Sequence, residues 1–134
     1  MLLSPKFNHN RGEMGKATDK RLLKNWAEKV KELADYKCEA PDCTVNYSQV
    51  HAHHVFSRRH TSLRYEVKNG LCLCPTHHTL GLFSAHKDPT FIARLIACGV
   101  RTTEWFDDLI NQRNKIIKNS QAFKDECFKK IEER

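Results

Sequence analysis

The 134-residue sequence contains no apolar run long enough to span a membrane, and it has no internal repeat or low-complexity segment. Its start, MLLSPKFNHN, has too short an apolar stretch for a signal peptide, so we expect none. Acidic residues are also in short supply, with 16 Asp and Glu against 23 Lys and Arg. These absences argue against a membrane-spanning protein and leave one basic domain with a modest core.

The basic excess gives a formal charge of +7 and a pI near 9.2, which favours polyanionic partners such as nucleic acid. The excess is weighted toward the N-terminus, where residues 1–37 carry nine basic and five acidic groups. Ordinary solvated surfaces often carry a similar excess. The charge therefore indicates a class of partner without identifying a site.

Histidine and cysteine are concentrated in the middle of the chain. Seven of the eight histidines lie between His51 and His86, and four of the six cysteines lie between Cys38 and Cys74. A secreted disulfide framework would also need many cysteines, but here the cysteines interleave with histidines. Metal binding and proton transfer use these residue types, so we expect metal sites, a reducing compartment and a cytoplasmic location.

Two pairs of these residues have the spacing of a zinc site. Cys38 and Cys43 flank the turn-forming residues 39–42, and Cys74 and His77 stand three positions apart where a helix is expected to begin. The two pairs together predict a tetrahedral Cys3His site for structural zinc. The alternative interpretation is a set of small buried residues with chance spacing.

The other cysteines have less certain roles in the sequence. Cys72 lies two residues from Cys74, on the same face if the segment is a strand, and could replace it as a ligand. Cys98 and Cys127 occupy apolar positions of helical patterns, so we expect them to be ordinary core thiols.

A second set of polar residues begins in the segment 50–56, VHAHHVF, a β-prone run that predicts a strand. Adjacent strand residues point to opposite faces, so His53 and His54 are not expected to perform the same task. A bulge or the end of the strand would let them flank one cavity, one as a metal ligand and the other as a base. Asn69 and His78 complete the set.

The residues HHV at 53–55, Asn69 and CPTHH at 74–78 resemble the HNH (His-Asn-His, ββα-metal) nucleases, and the likeness covers residues 38–86. The resemblance implies that His53 and His78 bind a catalytic divalent ion and that His54 is the general base. It implies that Asn69 braces the loop between the two strands. It also implies a zinc knuckle built from the Cys3His residues, with His77 where the family more usually has Cys.

Two imidazoles hold a divalent ion loosely, so a third ligand or DNA is expected to complete the coordination of a catalytic Mg2+, Mn2+, Ni2+ or Zn2+. His86 is the candidate, as a ligand or as a phosphate donor, and a solvated loop histidine is the alternative. Basic residues that follow the histidine-rich strand are expected to border the phosphate path: Arg58, Arg59, Arg64 and Lys68.

The predicted function is a metal-dependent DNA endonuclease in which a neutral imidazole takes a proton from the attacking water. DNA would be bound mostly through its phosphates, with no role for a membrane. Family members of this size suggest phage or mobile-element DNA processing in a host cytosol. A non-catalytic zinc-containing DNA-binding module is the alternative, but it leaves His53, His54, Asn69 and His78 unexplained. A zinc hydrolase of small molecules is more remote, since no carboxylate base stands near the histidines. Protein partners and oligomeric state stay open.

The sequence predicts an α+β fold, in which the resemblance implies a ββα-metal core with a structural zinc knuckle at about 36–86, flanked by N- and C-terminal helices. We expect a flexible basic arm at 1–17 and a single nuclease domain at 18–134.

Apolar spacing predicts the flanking helices at 19–34 and within 88–133. Trp26 is expected in the core and not at a base-stacking surface. Thr102 or Thr103 is expected to cap a helix that reaches Ile117, and a last helix follows.

Overall fold

The computed structural model describes residues 16–41, 43 and 49–133. Of the predicted arm, residues 1–15 lie outside these ranges. Ala17 is buried, and its backbone forms hydrogen bonds with the side chains of Gln121 and Asp125 near the other end of the chain. The described part combines helices with a two-stranded antiparallel sheet, which agrees with the α+β class. Its main elements are α1 (Asp19–Leu33), β1 (His51–His54), α2 (Thr61–Arg64), β2 (Gly70–Leu73), α3 (Phe91–Ala97), α4 (Thr103–Arg113) and α5 (Gln121–Glu133).

Helix α1 begins where the sequence predicts it and ends one residue early. The Thr18 hydroxyl accepts a hydrogen bond from the Arg21 amide at 3.1 Å and caps the first turn. Leu22, Trp26 and Val30 form its buried face, as residues spaced by four do on one side of a helix. Trp26 is only 2% exposed, which confirms it as a core residue.

Strands β1 and β2 pair with His51 opposite Leu73 and His54 opposite Gly70. Glycine is required at position 70 because a Cβ there would lie 2.4 Å from Val30 and 2.9 Å from Trp26. This close approach lets α1 pack directly against the sheet. Because His54 is opposite Gly70, it also brings α1 to His54.

The connection between the strands, residues 55–69, contains α2 and a 3-10 turn at Val67–Asn69. It is fastened to α1 by an ion pair in which Arg64 donates to both carboxylate oxygens of Asp19, at 2.7 and 2.8 Å. These hydrogen bonds lower the pKa of Asp19 to about 2. The third guanidinium nitrogen donates to the carbonyl of Arg58 at 2.8 Å, so the ion pair also shapes the start of the connection.

Helix α4 agrees with the sequence prediction at its start but not at its C-terminal end. Thr102 is the cap of α4, accepting from the Trp105 amide at 3.1 Å. The predicted extension of this helix to Ile117 is wrong, because α4 ends at Arg113. The following segment leaves the helical path, and the side-chain amide of Asn119 donates a hydrogen bond to the Tyr65 hydroxyl at 3.3 Å. Tertiary contact therefore overrides the apolar spacing.

The prediction for the two C-terminal cysteines holds for one of them. Cys127 is partly buried against the cluster formed by α1 and α5. Cys98 is exposed, so its assignment to the core is wrong. The reason is that α3 ends at Ala97, which leaves Cys98 at the helix terminus, beyond the turns that pack inward.

Two apolar clusters support the sheet. One joins α1 and α5 with Tyr65 and Val67. The other joins β2 to α3 through Leu71, Leu73 and Phe91, and Cys38 and Cys43 pack against it. Among the described residues, no helix combines the length and apolar character needed to cross a membrane.

Candidate functional site

The first group of potential ligands is Cys38, Cys43, Cys74 and His77, whose donor atoms all lie within 4.8 Å of one another. The Nδ1 atom of His77 is 3.6 Å from the Cys38 sulfur and 3.2 Å from the Cys74 sulfur. In a tetrahedral zinc site, Zn–S and Zn–N bonds of about 2.3 and 2.0 Å give an S–N separation of about 3.5 Å. The group therefore fits a metal ion such as zinc.

Backbone contacts hold the two halves of this group together. The Cys43 amide donates to the Ala40 carbonyl at 3.2 Å and closes the turn, although Asp42 lies outside the described residues. The Glu39 amide donates to the Cys72 carbonyl at 2.8 Å, which fixes the turn to β2. Burial raises the pKa of the Cys38 thiol to about 12, and a bound cation would offset this by favouring the thiolate.

Cys74, and not Cys72, belongs to the group. Cys72 is fully buried in β2, where it pairs with Ala52. Its amide donates to a carboxylate oxygen of Glu39 at 2.8 Å. Cys74 lies just beyond the strand, before the π-helical turn at Thr76–Leu80 that carries the next ligand.

A second group consists of His53, His78 and His86, whose nitrogen donors also lie within 4.8 Å of one another. The Nε2 atoms of His78 and His86 are 3.0 Å apart. At metal–nitrogen distances of about 2.1 Å, neighbouring ligands are separated by about 3.0 Å in octahedral and about 3.4 Å in tetrahedral sites. The three imidazoles therefore fit a divalent ion, and the structure places His86 with the two predicted ligands.

The protonation of these imidazoles suits metal binding. Burial, followed by the neighbouring imidazoles, lowers the pKa of His53 to about 3 and that of His78 to about 4. Both rings are therefore neutral at pH 7, with lone pairs available for a cation. His51 lies 2.9 Å from His78 between their Nδ1 atoms, and a proton shared there leaves Nε2 of His78 free.

His54 lies on the other side of the same strand end. Its Nε2 is 3.0 Å from the carbonyl oxygen of Arg64, and a carbonyl only accepts, so Nε2 carries the proton. The Nδ1 atom is consequently the basic nitrogen. Its ring stacks on Trp26, with centroids 3.8 Å apart. Burial lowers the pKa of His54. The hydrogen bond to the Arg64 carbonyl opposes this shift and the charges of Arg58 and Arg64 add to it, so the ring is neutral near pH 7.

Asn69 is fully buried and holds the connection between the strands. Its side-chain oxygen accepts from the Phe56 amide at 2.9 Å, and its amide nitrogen donates to the carbonyls of Phe56 and Leu63. Its backbone carbonyl accepts from the Val55 amide at 2.9 Å. These bonds fix the residues that follow His54 and precede Arg64.

The two sides of the strand end meet in one open cleft of about 480 Å³. The cleft is lined by the candidate ligands of the metal group, by the predicted base and by one arginine: His53, His78, His86, His54 and Arg58. The sequence expectation that adjacent histidines flank one cavity therefore agrees with the geometry.

The four basic residues predicted at the phosphate path have different surroundings. Arg58 lines the cleft, and Arg59 is exposed beside it in sequence. All three guanidinium nitrogens of Arg64 bond within the protein, so a phosphate contact would require the Asp19 ion pair to break. Lys68 is half-exposed and lies 3.8 Å from Asp108. The geometry thus favours Arg58 over Arg64 at the cleft.

Two residues contribute to the site in ways that the sequence prediction missed. Trp26 was expected only in the core, and no spacing pattern links it to His54, which lies 28 positions away and contacts it through the fold. His51 contacts His78, and its position two residues before His53 on a strand was the available signal.

Comparison with models of protein families, with curated proteins and with solved structures finds no significant match to this chain. The resemblance to HNH nucleases therefore depends on the motif residues of the sequence alone.

Proposed function

We propose that this protein is a metal-dependent DNA endonuclease of the HNH kind. The observation that carries the proposal is the open cleft that His54, with its Nε2 at the Arg64 carbonyl, lines together with three other imidazoles. A non-catalytic domain has no need for a neutral base beside a second set of ligands. Phosphodiester hydrolysis needs both, because water must lose a proton while charge on phosphate oxygens is neutralised.

In this proposal, β1, β2 and the π-helical turn after β2 form the ββα-metal unit. His53 comes from the first strand, and His78 comes from the turn. His86 returns to the same point because its amide donates to the His78 carbonyl at 3.2 Å. The Cys3His group would hold structural zinc beside this unit and tie Cys38 and Cys43 to the end of β2.

The catalytic step assigns one task to each side chain. Nδ1 of His54 accepts the proton of the attacking water, and the Arg64 carbonyl keeps the proton on Nε2. Asn69 fixes the connection between His54 and that carbonyl and so positions the base. Arg58 contacts the phosphate from the wall of the cleft.

His53, His78 and His86 would hold the divalent ion, which when bound neutralises charge on the phosphate and assists the leaving oxygen. All three donors are imidazole nitrogens. Imidazole suits Ni2+ and Zn2+, whereas Mg2+ prefers oxygen ligands. Among the expected ions, we therefore favour Ni2+ or Zn2+ over Mg2+.

The test is incubation of purified protein with supercoiled plasmid and with bis(p-nitrophenyl) phosphate, each with Mg2+, Mn2+, Ni2+ or Zn2+. Nicked or linear plasmid and release of nitrophenolate are expected with the wild type and not with His54→Ala. Plasmid binding without hydrolysis of either compound, under every ion, would instead favour the zinc-containing DNA-binding module.

A further inference from the structure

The loop between His78 and His86 carries three large apolar side chains in solvent. Leu80, Leu82 and Phe83 are 69%, 80% and 68% exposed. Most side chains of this kind are buried on folding, and a group of them on one short loop marks an interaction surface. We call Leu80, Leu82 and Phe83 the apolar loop tip.

Backbone hydrogen bonds hold the base of this loop in place. The Ala85 amide donates to the His77 carbonyl at 2.7 Å, and the His86 amide donates to the His78 carbonyl at 3.2 Å. Inside the loop, the Gly81 amide donates to the Thr76 carbonyl at 2.8 Å. The two ends of the loop therefore carry two of the three imidazoles of the candidate metal group.

Two cationic side chains donate hydrogen bonds to backbone carbonyls of the loop. Lys87 donates to the Leu80 carbonyl at 3.2 Å. Arg94 donates to the Phe83 carbonyl at 3.1 Å and lies 5.8 Å from the centre of its ring, while its charge is paired with Asp88 at 2.8 Å. Lys87 thus adds positive charge next to the tip, which suits a polyanion better than an acidic or purely apolar partner.

We propose that the apolar loop tip inserts into the base stack of duplex DNA, from the minor groove, while the cleft holds the adjacent phosphate. The proposal rests on the endonuclease function proposed above. Proteins that enter the minor groove often place Leu or Phe between base steps and kink the duplex. A phosphate held beside His78 and His86 brings neighbouring bases to the loop that these two residues close.

Insertion gives the enzyme a way to distort the strand that it cuts. Unstacking costs least at flexible pyrimidine–purine steps and at mismatches, so such steps should be preferred as cleavage sites. The preference would arise without hydrogen bonds to base edges.

The experiment uses duplexes with 2-aminopurine at successive positions, bound by full-length protein that carries His54→Ala to prevent cleavage. Protein with the wild-type loop should raise the 2-aminopurine fluorescence at one or more positions, because unstacking of this base relieves its quenching. Leu82→Ser with Phe83→Ser should remove that rise and lower plasmid cleavage by the His54-containing protein at least ten-fold. Ile116→Ser, a fully exposed apolar residue between α4 and α5, is the matched control and should change neither.

Several outcomes would overturn the proposal. If the loop variant folds, keeps its zinc and retains both the fluorescence rise and plasmid cleavage, the apolar loop tip does not insert into the base stack. A wild-type dimer in sedimentation that Leu82→Ser dissociates would make a second copy the occupant. Unstacking by a wild type that hydrolyses neither plasmid nor bis(p-nitrophenyl) phosphate would support insertion and refute the endonuclease, so the two proposals fail separately.

Discussion

The imidazole of His54 lies flat on the indole of Trp26, with centroids 3.8 Å apart and ring planes 11° apart. The indole is itself fixed, because its Nε1 donates to the Glu66 carbonyl at 2.7 Å. A helix that the sequence marks only as a core element thus sets the plane of the proposed base. The contact is possible because Gly70, opposite His54, lets α1 approach the sheet.

Trp26→Phe should lower both stability and turnover. It removes the hydrogen bond to Glu66 and part of the stacked surface, at a cost of about 1–3 kcal/mol in unfolding free energy. Leu22→Ala is the control, since it creates a cavity on the same helix face without touching the stack. Denaturant unfolding gives the stability of each variant, and kcat is measured under conditions where both variants are folded. Equal kcat in the two variants would show that the stack does not orient the base.

His54→Ala and His78→Ala should be separable by metal titration. His54→Ala removes the base and should cost about 10²–10⁴-fold in kcat at every metal concentration. His78→Ala weakens the proposed metal group, so raised metal should partly restore its rate. Asn69→Ala should fall between them, because it misorients the base and also leaves buried carbonyls without a partner. Near-normal turnover by a folded His54→Ala would make His51 the next candidate for the base.

Cys43→Ser should lose a tightly held zinc together with the fold, because a structural zinc contributes on the order of 10 kcal/mol of apparent binding energy. Cys98→Ser is the matched control, since Cys98 is exposed and lies outside the Cys3His group. Cys72→Ser should also keep the metal. Elemental analysis and circular dichroism provide the measurements, and zinc-free wild type with native structure would refute the site.

Replacing Arg58 and Arg59 by Ala should weaken binding to all DNA sequences about equally. Each lost phosphate contact reduces the slope of log K against log salt by about one unit, so the pair should reduce it by up to about two. Arg64→Ala is expected to act differently, lowering stability through loss of the Asp19 ion pair with little change in slope. Weakened binding to one sequence only would instead mean that Arg58 or Arg59 contacts bases.

The acid limb of the pH–rate profile should lie below the ordinary histidine pKa of about 6.5. The neutral form of His54 is the active one, and burial lowers its pKa, so the base persists as the pH falls through 6.5 and is lost only below it. The proposed ligands also stay deprotonated there, with pKa values of about 3 for His53 and about 4 for His78. Hydrolysis of bis(p-nitrophenyl) phosphate at saturating metal measures the limb. A midpoint at or above 6.5 that His54→Ala removes would contradict the burial effect.

Local sequence patterns were sufficient for much of the framework. The apolar spacing of Leu22, Trp26 and Val30 and the Thr18 cap specify α1, since both act within a few residues. The paired spacings also identified the members of the Cys3His group, because a turn and a helical start each bring two ligands to one side. The alternation of a short strand indicated that His53 and His54 would face different sides.

Only the tertiary structure decided which side chains meet across longer separations. The position of His86 depends on the fold of the whole loop from His78, and the engagement of Arg64 depends on where α1 begins. The exposure of Cys98 and of the apolar loop tip likewise depends on where an element ends, which packing and not spacing determines. A sequence pattern records the local preference of each residue, but the distance between two rings is fixed by register, turn geometry and close approach together.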